Sequence, residues 1–380
     1  MTVVHTERKL ARVVLVDSIH PIEGADRIEL VIVGGWQVVV QKGLYTVGSK
    51  AVFCEVDSLL PLDRPCFESL GGMSSKLKFT VDDKPYGRIK TMKLRKQLSQ
   101  GFCVPASEVS ADHLAVDTDM TKALGVIKYE AAGEKALNGT PGTPGNPKAG
   151  TTALGFPKFV PKTDQTRVQN ITVQFAQARD KGELFEKSFK LDGSSLTAFI
   201  KDEETIGVAS RNVGFRVHDE TIPFFTAVKK FLQGKGWKRT IKADDNAFTQ
   251  MAEKAGLLTA LLNDGRNIAI QGEMVGPSIQ KNFEGVAENE FYCYDIYLID
   301  EQAYMLPKER QEFCAEHGIK HVPLASSHAV TLPVDVATAI ADADGPSGLK
   351  GKYREGFVYK SMNRDFSFKV ISNAYLLKEE

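Results

Sequence analysis

At 380 residues the chain is long for one compact domain and suits two. Its 42% hydrophobic and 25% charged content is ordinary for a globular protein, and the 48 basic and 48 acidic residues cancel. That balance excludes a histone-like coat for nucleic acid but not a local basic groove. No apolar run reaches about 18 residues, so no membrane span is expected, and the polar start Met1–Lys9 lacks the apolar core of a signal peptide. The five cysteines (Cys54, Cys66, Cys103, Cys293, Cys314) form no CxxC pair. They argue against a disulfide framework or a zinc site and for the cytoplasm or another reducing intracellular compartment.

The N-terminal part reads as β-rich. Leu10–Val16 and Ile28–Val33 are short apolar runs separated by the turn-rich stretch His20–Asp26. Gly34-Gly35 then precedes the alternating run Trp36–Gln41, and Val47–Lys50 precedes the apolar run Ala51–Val56. Short strands punctuated by glycine at this spacing predict a small β-barrel over residues 1–129. The phrase HPIEGADRIELVIVGGWQVVVQKG resembles the OB-fold domain of certain tRNA-binding modules and of one branch of RNA ligases. The resemblance implies an OB-like barrel that binds nucleic acid, against which stands a barrel with a structural or protein-binding task. Residues 130–153 are rich in Ala, Gly, Pro, Thr and Asn and predict a flexible linker.

The second domain is placed at 154–380, with strand-like and helix-like segments mixed. Thr221–Leu232 and Ala247–Leu262 carry apolar residues at helical spacing, the latter at Met251, Ala255, Leu258 and Leu262, and read as core stripes. Four short patterns follow one another: Lys190-Leu191-Asp192-Gly193, Ser210-Arg211-Asn212, Gly272-Glu273-Met274-Val275-Gly276 and Arg354-Glu355-Gly356-Phe357-Val358-Tyr359-Lys360. Between the last two lies the aromatic cluster Phe291-Tyr292-Cys293-Tyr294-Asp295, and Phe366–Val370 places Lys369 near the C-terminus. A lone KxDG is weak, because Asp-Gly-Ser-Ser is also ordinary turn chemistry.

The ordered set, spanning Phe156 to Glu380, resembles the covalent nucleotidyltransferases: DNA ligases, RNA ligases and mRNA capping enzymes. It implies an α+β nucleotidyltransferase (adenylation) domain with antiparallel sheets and helices. Two stretches narrow the branch. GEMVGPSIQKN resembles the RNA-ligase form of its motif, and FPKFVPKTDQTRVQN resembles the opening of the catalytic domain in OB-first RNA ligases of the Naegleria and Deinococcus type.

By that resemblance Lys190 is the nucleophile that takes AMP from ATP. Asp192, Glu273 and Glu355 hold a Mg²⁺ or Mn²⁺ ion through water, and Lys369 and Lys360 face the phosphates. Arg211 lies near the ribose or the 3′-OH end, and Gly193 belongs to the nucleotide-binding turn. Arg167, Gln169 and Asn170 lie close to the nucleotide, Arg167 toward the departing pyrophosphate. Phe291, or Tyr294 in its place, stacks on adenine. Two positions depart from relatives: Phe189 stands where some have glutamate, and Ile371 where several have a second lysine.

The chemistry explains the residue types. A free lysine, with a pKa of about 10.4, is a nucleophile only after losing its proton, and a shift of about three units amounts to roughly 4 kcal/mol. A nearby cation disfavours the ammonium, and carboxylates seat that cation. The expected activity is an ATP-dependent RNA ligase, a monomer acting on RNA or a nicked RNA/DNA duplex in RNA repair. The alternatives are a DNA ligase, a GTP-using capping-type enzyme, or a nucleic-acid-binding protein without catalysis.

Overall fold

Near the N-terminus the alternating apolar runs form strands close to where their periodicity places them. β1 (Ala11–Leu15), β2 (Ser18–Pro21), β3 (Ile28–Val33), β4 (Trp36–Gln41), β5 (Lys50–Glu55) and β6 (Ser58–Pro61) come first. Then follow β7 (Lys78–Val81), β8 (Lys84–Arg88), β9 (Met92–Leu94), β10 (Gln97–Ser99), β11 (Gly101–Pro105) and β12 (Ile127–Lys128). The computed structural model describes residues 8–129, 154–162, 164–202, 205–221 and 240–377. The expected linker at 130–153 and nearly all of the expected stripe at 221–232 lie outside the described residues.

Contacts divide the chain into two units. The first is Met1–Ala132 with Gln169–Thr172 and Leu376–Glu380; the second is Gly133–Val168 with Val173–Tyr375.

The expected N-terminal barrel is not formed. The first unit holds separate open sheets in the orders β1-β5-β11, β2-β3-β4, β12-β6-β8-β7 and β10-β9. A barrel needs an unbroken ladder around its circumference. Here β5 is already flanked by β1 and β11, and the free edge of β4 is met by isolated bonds from Ser99 and Gln100 that form no ladder. The Val39 N–H donates to the Ser99 hydroxyl at 3.1 Å, and the Gln100 N–H donates to the Gln37 carbonyl at 2.7 Å. The sheets β2-β3-β4 and β1-β5-β11 share one apolar core, in which Trp36 meets Phe53 at a ring separation of 5.4 Å.

The second unit is α+β with antiparallel ladders. Its strands are β13 (Leu154–Gly155), β14 (Phe185–Lys190), β15 (Ser194–Lys201), β16 (Thr205–Ser210), β17 (Val213–Arg216), β18 (Glu220–Thr221) and β19 (Thr240–Ile241). They continue with β20 (Ile268–Val275), β21 (Glu290–Leu298), β22 (Ala303–Tyr304), β23 (Gly356–Ser361) and β24 (Ser367–Ile371). Seven strands form one sheet in the order β13-β17-β16-β15-β20-β21-β22, and β14-β23-β24 form another. The described helices are α1 (Thr172–Asp180), α2 (Ala247–Lys254), α3 (Leu257–Asp264), α4 (Pro307–Glu316), α5 (Val336–Asp342) and α6 (Asn373–Leu376).

α2 and α3 cover the large sheet, burying Met251, Leu257 and Leu261 against Leu196, Ile268 and Ile270. The single helical stripe expected over Ala247–Leu262 is therefore two helices. Gly256, at φ +68°, restarts the helix, so Leu257 and Leu261 point inward while Leu262 is 63% exposed.

Candidate active site

β14 and β15 belong to different sheets, and Leu191, Asp192 and Gly193 carry the chain from one to the other. Lys190 ends β14 opposite Gly356, and Ser194 begins β15 opposite Met274. A β-carbon on Gly193 would lie 2.3 Å from the Met274 carbonyl oxygen, so only glycine lets this turn close against β20. Gly356 has φ +154°, and its β-carbon would lie 2.0 Å from the Val370 carbonyl oxygen. That tight packing delivers Glu355, the residue before β23, to the lysine.

Between the two sheets is a cleft of about 530 Å³, a volume suited to a nucleotide. Lys190, Asp192, Gly193, Arg211, Glu273, Glu355, Lys360 and Lys369 all line it. Lys190 Nζ donates to Glu355 Oε2 at 2.6 Å. Across the cleft, Asp164 accepts from Lys369 Nζ at 3.1 Å and pairs with Arg211 at 3.5 Å. Tyr294 also faces the cleft, its hydroxyl 3.0 Å from that of Ser195.

The electrostatics follow from burial. Burial pulls the Lys190 ammonium toward neutrality, but Glu355, Glu273 and Asp192 outweigh it and hold its pKa above the usual lysine range. Burial pushes the Glu273 carboxyl up to about 8, with Lys190 opposing and Glu355 and Asp192 adding to the rise. Glu355 is raised by burial too, and burial lowers Lys369. Carboxylates this costly to ionise suit a divalent cation, and an all-oxygen donor set suits Mg²⁺ or Mn²⁺. Among the described residues no three Asp, Glu, His or Cys side chains converge closely enough to ligate an ion directly. The donor set therefore fits an ion that keeps its water shell.

Comparison with known proteins agrees along the whole chain. A family model described as RNA ligase matches residues 185–371, and one described as an OB-fold domain matches residues 10–106, where the strands form open sheets. A mutant Naegleria gruberi RNA ligase in an apo form is 34% identical, covering 98% of this chain and 99% of that one, with a TM-score of 0.74. A mutant of the same ligase with AMP and Mn gives the same values. The form with pyrophosphate, also 34% identical over 98% of this chain and 99% of that one, has a TM-score of 0.72. This chain belongs to the RNA ligase family. No curated protein matches it by sequence.

Four expected residues of the ligase do not line the cleft. Phe291 is 3% exposed and packs in the core beneath the large sheet, so of the two aromatics Tyr294 lines the cleft and Phe291 does not. Arg167 bridges Lys369 through the backbone. Gln169 and Asn170 sit in a short 3-10 turn, Val168–Asn170, and these two residues group with the first unit. Lys360 does line the cleft, yet its ammonium is turned onto the Asp295 carboxylate and donates to the Tyr294 carbonyl at 2.5 Å. Its charge is therefore engaged within the protein. Phe189 packs against Phe357 at 5.4 Å, and Ile371 is 4% exposed in the core.

Sequence reasoning missed two groups around the motif turn. The Glu284 carboxylate accepts the Asp192 N–H at 2.9 Å, and the Tyr375 hydroxyl donates to Asp192 Oδ2 at 3.2 Å. Glu284 is one of three acids between Lys281 and Phe291 that nothing in the sequence sets apart, and Tyr375 lies beyond every motif.

Proposed function

We propose that the chain is an ATP-dependent RNA ligase that charges Lys190 with AMP, passes AMP to a 5′-phosphate end and seals that end to an RNA 3′-OH. The observation that carries this reading is Lys190 held 2.6 Å from Glu355, with Asp192 and Glu273 beside it and Lys369 and Arg211 lining the same cleft.

In the first step the Lys190 amine forms a bond to the α-phosphorus, the bond to the β-phosphate oxygen breaks, and pyrophosphate leaves. The ammonium, which donates to Glu355 Oε2, must first give up a proton. Lys369 and Arg211 are the cations offered to the phosphates, and Tyr294 offers its ring to the base. Asp192, Glu273 and Glu355 would hold the hydrated divalent ion. Its charge would disfavour the ammonium and neutralise charge on the phosphate. A mutant of the Naegleria gruberi ligase has been captured with ATP and Mn, which supports the same ligands here.

In this reading the first unit binds nucleic acid, the substrate is a nicked duplex, and the task is RNA repair. In the same reading the enzyme acts as a monomer. The cysteines are all free thiols, which supports a reducing compartment. No described helix is long and apolar enough to cross a membrane.

Incubation with labelled ATP or GTP, followed by a denaturing gel, tests the reading. ATP should label the wild type and leave Lys190→Ala blank. Undiminished label on the variant, or label from GTP alone, would reject it.

A further inference from the structure

Glu284 is a buried carboxylate bonded to the motif turn. It is 1% exposed and does not line the nucleotide space. Both its oxygens are engaged: one accepts the Asp192 N–H at 2.9 Å, the other the Ser347 hydroxyl at 2.7 Å. Its backbone carbonyl accepts the Lys350 N–H at 3.2 Å. The two loops pack at backbone distance, since a β-carbon on Gly351 would stand 2.5 Å from the Phe283 carbonyl oxygen.

Asp192 has a second tie. The Tyr375 hydroxyl donates to Asp192 Oδ2 at 3.2 Å, and the Tyr375 ring meets Phe283 edge-on at 5.0 Å. Asp192 is thus gripped at its backbone by Glu284 and at its carboxylate by Tyr375, while Phe283 braces Tyr375. The amide that Glu284 takes lies in the crossover between two sheets, where no ladder partner is available to it. A buried carboxylate near Asp192 and Glu355 destabilises the fold unless its hydrogen bonds offset the burial. Glu284 makes those bonds to the one turn that presents both the nucleophile and a carboxylate of the ion cradle.

We propose that Glu284 and Tyr375 are positioning residues: Glu284 fixes the backbone of the Lys190–Gly193 turn, and Tyr375 fixes the carboxylate of Asp192 for the adenylation step. The inference rests on the reading of Lys190 as the adenylated nucleophile. Neither residue touches the nucleotide; both act through Asp192. Loss of an outer partner of this kind typically costs about 10- to 100-fold in metal affinity or activity.

The test compares full-length wild type with Glu284→Ala, Glu284→Gln and Tyr375→Phe. Melting temperature, single-turnover lysyl-AMP formation across a Mn²⁺ series, and calorimetric Mn²⁺ binding with AMP present are measured on each. Glu284→Ala should label at least about tenfold more slowly and need about tenfold more Mn²⁺ for half-saturation, with the KM for ATP little changed. Glu284→Gln can still accept from Asp192 and meet Ser347, so it should stay within about threefold of wild type. Tyr375→Phe should melt like wild type and weaken Mn²⁺ binding by about threefold or more.

Wild-type Mn²⁺ affinity in Tyr375→Phe overturns the role of Tyr375. A folded Glu284→Gln as slow as a broken site overturns the hydrogen-bond role of Glu284. If Glu284→Ala does not fold, those two variants still decide. An unlabelled wild type overturns the ligase reading and this inference with it. A labelled wild type matched by Glu284→Ala overturns this inference alone.

Discussion

Lys190 donates a hydrogen bond through Nζ to Oε2 of Glu355 at 2.6 Å, joining the end of β14 to the start of β23. With Glu273 and Asp192 also nearby, the protein alone holds this lysine as an ammonium more firmly than water does, in spite of its burial. Nucleophilic attack needs the neutral amine. In the proposed reaction the protein's carboxylates would therefore keep the lysine idle until positive charge arrived beside it.

That arrangement sets a pH dependence. The pKa of Lys190 is raised, so the neutral fraction is small at neutral pH and grows as pH rises through the amine's pKa. Single-turnover adenylation should climb with pH at a fixed low Mn²⁺ concentration. More Mn²⁺ should move the climb to lower pH, because a bound cation disfavours the ammonium. Superimposed pH–rate profiles at the two Mn²⁺ concentrations would show that the amine is not controlled in this way.

Glu273 predicts an opposite trend in stability. Its carboxyl is pushed up from 4.5 to about 8, chiefly by burial. The folded state then binds more protons than the unfolded state between those values, so this group's contribution is full below 4.5 and is lost as pH rises through about 8. Metal-free protein should lose melting temperature over that window, and Glu273→Gln should flatten the loss while abolishing most adenylation. Added Mn²⁺ should also reduce the loss, since it favours the ionised carboxylate. A Glu273→Gln variant with the wild-type slope would rule this assignment out.

The fate of Lys360 separates two roles that the sequence leaves joined. Its side chain is 7% exposed and held by Asp295, which also lies 3.8 Å from the Arg310 guanidinium. Arg310 in turn donates to Glu186 of β14 at 2.5 Å, so the pair belongs to a buried network behind the lysine strand. Removing one partner of such a pair costs about 3 kcal/mol, because it leaves the other charge buried and less well paired. Lys360→Met should lower the melting temperature clearly, and adding Asp295→Asn should recover much of the loss. Unchanged melting together with a raised KM for ATP would instead make Lys360 a phosphate contact.

The chemistry was more legible than the architecture. Lys190, Asp192, Glu273 and Glu355 stand in short motifs because each must be a specific functional group, and the structure brings them into one cleft. Strands such as Ile28–Val33 and Trp36–Gln41 follow from local alternation. Barrel closure does not, because it depends on which distant edges pair; here Ser99 and Gln100 meet the edge of β4. Nor could periodicity show that Gly256 would divide one stripe into two helices. The holders of Asp192 were hidden for the same reason, since Glu284 and Tyr375 lie 92 and 183 residues away in sequence.

The choice of strand is the remaining expectation. Membership of the RNA ligase family, with GEMVGPSIQKN running from the end of β20 into the turn that follows, points to RNA on the side that supplies the 3′-OH. A protein tells RNA from DNA at one position through the 2′-hydroxyl, which both donates and accepts hydrogen bonds. A site built to bond that hydroxyl rejects a strand without it, because its own polar groups are then left unpaired. The 5′-phosphate strand need not be read as strictly, since phosphate contacts orient a duplex without identifying its sugar. A nick with a ribonucleotide 3′-OH end should therefore be sealed more than about tenfold faster than its all-DNA counterpart. Pre-adenylated 5′ ends confine the comparison to the sealing step, in which the 3′-OH attacks the phosphate and AMP leaves. Equal rates on the two nicks would remove the requirement for RNA at the 3′ end and leave the adenylation chemistry standing.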